Sequence, residues 1–168
     1  MKRVLFAAAV LGVAVCGLAG TPPAENKTSS GFDKMKSLVG VWKGKDAKGG
    51  PVEVSYRLVS AGNSVMETLN MPGHKEDMIT MYHQDGDNLM MTHYCSMGNQ
   101  PRMRAAGGDH PDAIDFKFVD GTNMSPEDPH MHELLITFKD KNHITESWTM
   151  RAKGEDSPPF VFTLQRAK

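Results

Sequence analysis

The chain has 168 residues, with 19 Lys and Arg against 20 Asp and Glu and a formal charge of −1, so no excess of charge draws it to nucleic acid. Its two cysteines are Cys16 and Cys95. The first lies in the apolar N-terminal tract, which leaves Cys95 without a partner and excludes a fold stapled by an internal disulfide.

The chain opens with Met1-Lys2-Arg3, an apolar run from Val4 to Val15 and small residues through Gly20. This is the order of a secretory signal peptide, expected over residues 1–20. The run is too short to span a bilayer as a mature helix, so no integral membrane span is expected in the mature chain and a periplasmic or extracellular location is. Two processing routes are open. Cleavage after Ala19 has Gly17 as the small residue two positions upstream; lipidation at Cys16 would instead make a membrane-anchored lipoprotein, although Val15 stands where a small residue is expected. Residues 21–31, rich in Pro, Thr, Ser and Lys, read as a disordered leader or tether. The folded domain is expected over 32–168, about 140 residues, enough for one core.

A helical turn near 32–37, with Asp33 helping to cap it, is the one helical candidate. From Leu38 onward short runs alternate with period two and close on Gly, Asn, Asp or Pro. Ten strands are expected, at 38–46, 51–59, 64–70, 76–84, 87–97, 101–106, 112–119, 132–139, 143–151 and 158–166. Gly49-Gly50, Ala61-Gly62, Asp85-Gly86 and Asp140-Lys141-Asn142 are hairpin connections, which make sequential strands neighbours; 120–129 is polar, carries two prolines and is expected as a loop. A single layer of ten strands leaves two open edges unless it closes. The fold class is therefore all-β, a ten-stranded antiparallel up-and-down barrel, with strand ten closing on strand one.

Gly40-Val41-Trp42 after a helical turn resembles the Gly-x-Trp signature of the calycin superfamily, and Gly-Val-Trp-Lys-Gly is similar to the opening of nitrobindin-type barrels. The strand count suits the nitrobindin and fatty-acid-binding branch better than the lipocalins. The resemblance implies a barrel around an interior cavity, with Arg166 covering the Trp42 indole as an arginine does in lipocalin-like proteins. Thr92-His93-Tyr94-Cys95 and Asn99-Gln100-Pro101-Arg102-Met103 resemble segments of uncharacterised secreted bacterial proteins with a lipocalin-like barrel. That likeness implies a fold and a compartment and carries no established activity. Haem, which the nitrobindin resemblance suggests, finds no histidine that aligns with an axial role.

Hairpin geometry assigns faces, because residues opposite in an antiparallel pair share a side. About Ala61-Gly62, Leu58 is expected opposite Val65, Tyr56 opposite Glu67 and Val54 opposite Leu69. About Asp85-Gly86, Tyr82 is expected opposite Leu89, Thr80 opposite Met91 and Met78 opposite His93, with Cys95 on the same side. The last hairpin sets Phe138 opposite Ile144, Ile136 opposite Glu146, Leu134 opposite Trp148 and His132 opposite Met150. The interior is then apolar apart from Tyr56, Glu67, Tyr82, His93, Cys95, His132 and Glu146. Buried carboxylates and imidazoles cost several kcal/mol unless paired or hydrated, so they mark either a ligand-facing patch or a closed hydrogen-bond network.

The leading functional expectation is an exported protein that holds a small, partly apolar molecule in the barrel, with no cofactor. Those seven side chains line the site, and Arg102 is added because it resembles the interior arginine that fatty-acid-binding proteins turn on a carboxylate. A second reading is zinc or copper held by His93 and His132, with Glu67 or Cys95 completing the shell. The third is an enzyme of unknown reaction using the cavity Glu, His and Cys side chains. His93 and Cys95 sit side by side on one strand, with Cα atoms about 7 Å apart, and no Gly-x-Ser-x-Gly, phosphate loop or His-Glu-x-x-His is present.

Overall fold

The computed structural model describes residues 30–73, 77–106 and 111–168. The expected signal peptide, Cys16 and nearly all of the expected leader lie outside these residues. A helix, α1 (Ser30–Ser37), precedes β1 (Gly40–Asp46), β2 (Pro51–Val59), β3 (Ser64–Asn70), β4 (Met78–Asp85) and β5 (Asn88–Tyr94). Then come β6 (Gln100–Ala105), β7 (Ala113–Thr122), β8 (His130–Asp140), β9 (His143–Ala152), the two-residue β10 (Glu155–Asp156) and β11 (Phe160–Arg166). Each long strand pairs antiparallel with its sequence neighbour, β9 passes to β11, and β11 pairs with β1. The result is a closed ten-stranded meander, with β10 added to the end of β9.

Register follows the alternation. Leu58 faces Val65, Tyr56 faces Glu67 and Val54 faces Leu69, as the sequence predicts, although Leu58 itself is 46% exposed at the barrel end. Between β4 and β5 the pairing differs: the turn is Gly86-Asp87, with Asp85 opposite Asn88, so Tyr82 faces Met91 and Thr80 faces His93. Gly86 adopts φ +57°, which favours its place as the first turn residue. A slip of two residues leaves every side chain on its expected face. Between Met131 and Glu133 a bulge removes His132 from the ladder, and Met131 takes the place opposite Met150.

The strands alternate direction, so α1 and the start of β1 lie at one end of the barrel and the β1–β2 turn at the other. Phe32, Met35 and Leu38 are buried and plug the first end. Trp42 is also buried there, and its Nε1 donates to the Leu38 carbonyl at 2.7 Å. Opposite it in the ladder, Arg166 places its guanidinium 4.3 Å from the indole centroid. The same guanidinium donates to the carbonyls of Val39 (2.8 Å), Ser37 (2.7 Å) and Lys141 (3.2 Å). One cation therefore satisfies the last carbonyl of α1 and one in the link to β1, and holds the helix to the closing strand. Gly40 has φ +133°, and a Cβ there would lie 3.0 Å from the Arg166 guanidinium, so the Gly-x-Trp spacing leaves room for this clasp.

Arg166→Ala should destabilise the domain by about 2–3 kcal/mol, since it strips a cation from an aromatic face and leaves carbonyls without a donor. Urea unfolding measures this. Arg166→Lys should recover less than half of the loss, because an ammonium cannot fork to three carbonyls.

Candidate functional site

At the end opposite α1 the barrel encloses a cavity of about 650 Å³. Its wall is mostly apolar: Leu69, Met71, Met78, Met97, Met131, Met150, Phe160, Val161 and Phe162, with Trp148, His93 and Cys95. Asp46 at the end of β1, Ala47 and Lys48 of the β1–β2 turn, Ser96 after β5, and Ser157, Pro158 and Pro159 before β11 complete the lining. Period-two alternation puts Leu69, Met78, His93, Trp148, Met150 and Phe162 inside near the strand ends. Five methionines make the wall polarizable and adaptable in shape.

Toward α1 from this cavity lies a polar layer built by register. Tyr56, Glu67, Thr80 and His93 are ladder neighbours across β2, β3, β4 and β5. Tyr82 donates its phenol hydrogen to Glu67 Oε2, and Tyr56 donates to Glu146 Oε1. Glu146 Oε2 also accepts from Trp148 Nε1 at 3.3 Å. Thr80 Oγ1 lies 3.0 Å from His93 Nδ1, and the His93 ring packs on Trp148 with centroids 4.8 Å apart. Among the described residues three buried side-chain atoms have no hydrogen-bond partner: Glu67 Oε1, His93 Nε2 and Asn99 Oδ1.

Burial governs the electrostatics. Desolvation raises the pKa of Glu67 well above the usual carboxylate value, and the charge of Glu146 raises it further. Desolvation also raises Glu146, against the lowering effect of bonds from Tyr56 and Trp148. Two such carboxyls do not both ionise at neutral pH, and Glu146, with two donors, is the better placed to carry the charge. Both phenols are pushed up, first by burial and then by the carboxyl each one bonds. Burial lowers His93 from 6.5 to about 4, so its imidazole is neutral.

The expected site residues divide into four groups. His93 and Cys95 line the cavity. Tyr56, Glu67, Tyr82 and Glu146 are buried in the polar layer and do not line it. Arg102 is on the outer face, in a salt bridge with Asp120 of β7, because Met103 takes the inner position on β6. This corrects the expectation of an interior arginine. His132 is likewise absent from the cavity lining. Its bulge brings its Nδ1 to 3.1 Å from His130 Nε2, both rings pack on Phe118, and burial followed by the charge of Arg151 lowers its pKa. His93 and His132 therefore do not share the cavity as a metal pair. Among the described residues no three His, Cys, Asp or Glu side chains gather as a metal group.

Sequence reasoning missed Thr80, Trp148 and the methionines as site residues. The period-two pattern that placed Tyr82 and Glu146 inside carries Thr80 and Trp148 with them. The methionines gave no comparable signal, because a core methionine and a cavity methionine look alike in sequence.

No family model matches the chain, and no curated protein does. Among solved structures, the crystal structure of Rv2717c from M. tuberculosis is similar, with a TM-score of 0.55 and 16% identity over 83% of this chain and 99% of that one. This likeness is one of fold, consistent with a calycin or lipocalin-like barrel.

The lowered His93 pKa sets a pH dependence of stability. The unfolded imidazole takes a proton near 6.5 and the folded one near 4, so the contribution is complete above 6.5 and is lost as pH falls to about 4. The loss is on the order of 3 kcal/mol. Urea unfolding across that window should show this slope in the native chain, and His93→Gln should flatten it.

Proposed function

We propose that the chain is an exported binding protein that takes up a small, largely apolar molecule in the barrel cavity. The observation that carries this reading is the cavity itself: about 650 Å³, walled mainly by methionine, phenylalanine and leucine with Trp148, and with few polar residues, Asp46, Lys48, His93, Ser96 and Ser157, in its lining. Such size and lining suit a drug-sized ligand held by apolar contact and oriented by few polar groups. The barrel supports an assignment to the calycins, in the ten-stranded branch with the nitrobindin and fatty-acid-binding types. Export rests on the charged, apolar and small-residue order of residues 1–20.

Phenylnaphthylamine, a neutral apolar fluorophore, should bind the mature domain with a micromolar Kd and a stoichiometry of one. Trp148 lines the cavity and Trp42 lies at the plugged end, so binding should quench Trp148 alone, and Trp148→Phe should remove the quench. Leu69 is buried on the inner face and lines the cavity, so Leu69→Trp, which fills it, should weaken binding about tenfold or more without unfolding the domain. Unchanged affinity in Leu69→Trp would place the probe elsewhere and sink the reading. The intact mass of protein recovered from the exporting cell tests the other half: cleavage after Ala19 and lipidation at Cys16 give different masses, and an uncleaved chain contradicts export.

A further inference from the structure

Two histidines that do not line the cavity meet where β8 bulges. His130 is buried, His132 is half-buried, and both rings pack on Phe118 of β7. His130 Nε2 lies 3.1 Å from His132 Nδ1 and the ring centroids are 5.3 Å apart, so the two nitrogens point at each other along the line between the rings. The hydrogens fix the sense of this bond. The other His130 nitrogen, Nδ1, lies 2.7 Å from the Asp128 carbonyl oxygen, which can only accept, so Nδ1 carries a hydrogen. A neutral imidazole has one, which leaves Nε2 bare, and the hydrogen between the rings belongs to His132 Nδ1. His132 Nε2 is then a lone pair on the half-buried ring. One added proton settles there and leaves the bond whole. A second has only the 3.1 Å gap to enter, where the N–H groups of two cations would collide.

We propose that His130 and His132 form a one-proton latch: the pair stays closed at neutral pH and with one added proton, and a second proton opens it and releases the Met131 segment of the cavity wall. Met131 stands between the two histidines, opposite Met150, and both methionines line the cavity. The bearing on binding rests on the cavity being a ligand site. The charges around the pair do not offset a second cation. Arg151 of β9 is the ladder partner of His130, and the acids beside the pair are engaged. Asp156 of β10 holds Arg151 at 2.7 Å, Glu133 of β8 holds Lys117 of β7 at 3.0 Å, and the Asp128 carboxylate accepts from the Ser125 amide at 2.7 Å. Burial, then Arg151 and His130, hold His132 below its ordinary value. Below about 6.5 the open pair takes up two protons and the closed pair one, so opening should grow roughly tenfold for each pH unit.

Two measurements on the intact mature domain read the latch without any ligand. Heteronuclear NMR of histidine-labelled protein, assigned from the spectra of His130→Gln and His132→Phe, should show a hydrogen on His132 Nδ1 and none on its Nε2 at about pH 7.5. Hydrogen exchange, taken as protection factors for the amides of residues 130–133, should show opening that rises roughly tenfold per unit between about pH 6 and 5. His132→Phe keeps a ring on Phe118, removes the second proton site and should flatten that slope. A hydrogen on His132 Nε2 at about pH 7.5, a flat native profile, or equal slopes in native protein and variant overturns the latch. The Kd of phenylnaphthylamine should rise about threefold or more from about pH 7 to 5 in the native protein and hold within about twofold in His132→Phe. His93 is common to both proteins, so matching Kd profiles would mean that Met131 stays in place and would overturn the coupling to the cavity. If the probe binds at neither pH, the ligand reading has failed, and the tautomer and the exchange slope still decide the latch.

Discussion

Closure of β11 onto β1 is the constraint on which the molecule depends. The pairing runs from Trp42 opposite Arg166 to Asp46 opposite Phe162, and it leaves no free edge among the ten long strands. Contact there is close enough that a Cβ at Gly44 would fall 1.8 Å from the Thr163 carbonyl oxygen, so the second glycine of Gly-Val-Trp-Lys-Gly is fixed by the seam. Arg166 acts at the end of the same seam, bonding the helix carbonyls and covering Trp42. Helix, first strand and last strand thus form one unit.

A ring of ten strands is wider than side chains can fill throughout. Near α1 the width is taken up by large residues, among them Trp42, Tyr82, Phe116 and Met103, together with the helix plug. At the other end no such plug exists among the described residues, and the cavity remains. Between the two sits the polar layer. Each phenol there donates to one carboxyl, and Glu146 accepts a second bond from Trp148, while Glu67 Oε1 stays without a partner. The layer lies behind a cavity wall that is mostly apolar and includes His93 and Cys95.

This division changes what the interior polar residues mean. Seen as a set, Tyr56, Glu67, Tyr82, His93 and Glu146 look like a wet binding patch. In the barrel His93 alone of these five lines the cavity, and the other four are buried in the layer behind it. Thr80, which bonds His93, is a small threonine between Ile79 and Met81 and has no conspicuous sequence signal.

Period-two alternation, turn residues and length by themselves determined an all-β meander of ten strands and the inner faces of most of them. They succeeded because face depends only on parity: the two-residue error at the β4–β5 turn moved partners and left every side chain on its own side. Features that break parity or depend on depth were decided only by the tertiary structure. The bulge at His132 is one residue long, so it changes the face, and nothing local in His130-Met131-His132 announces it. Depth along the barrel axis, which separates Glu67 in the closed layer from His93 at the cavity, comes from strand stagger fixed only when β11 meets β1. Alternation records in or out, and it has no term for how far along the axis a residue lies.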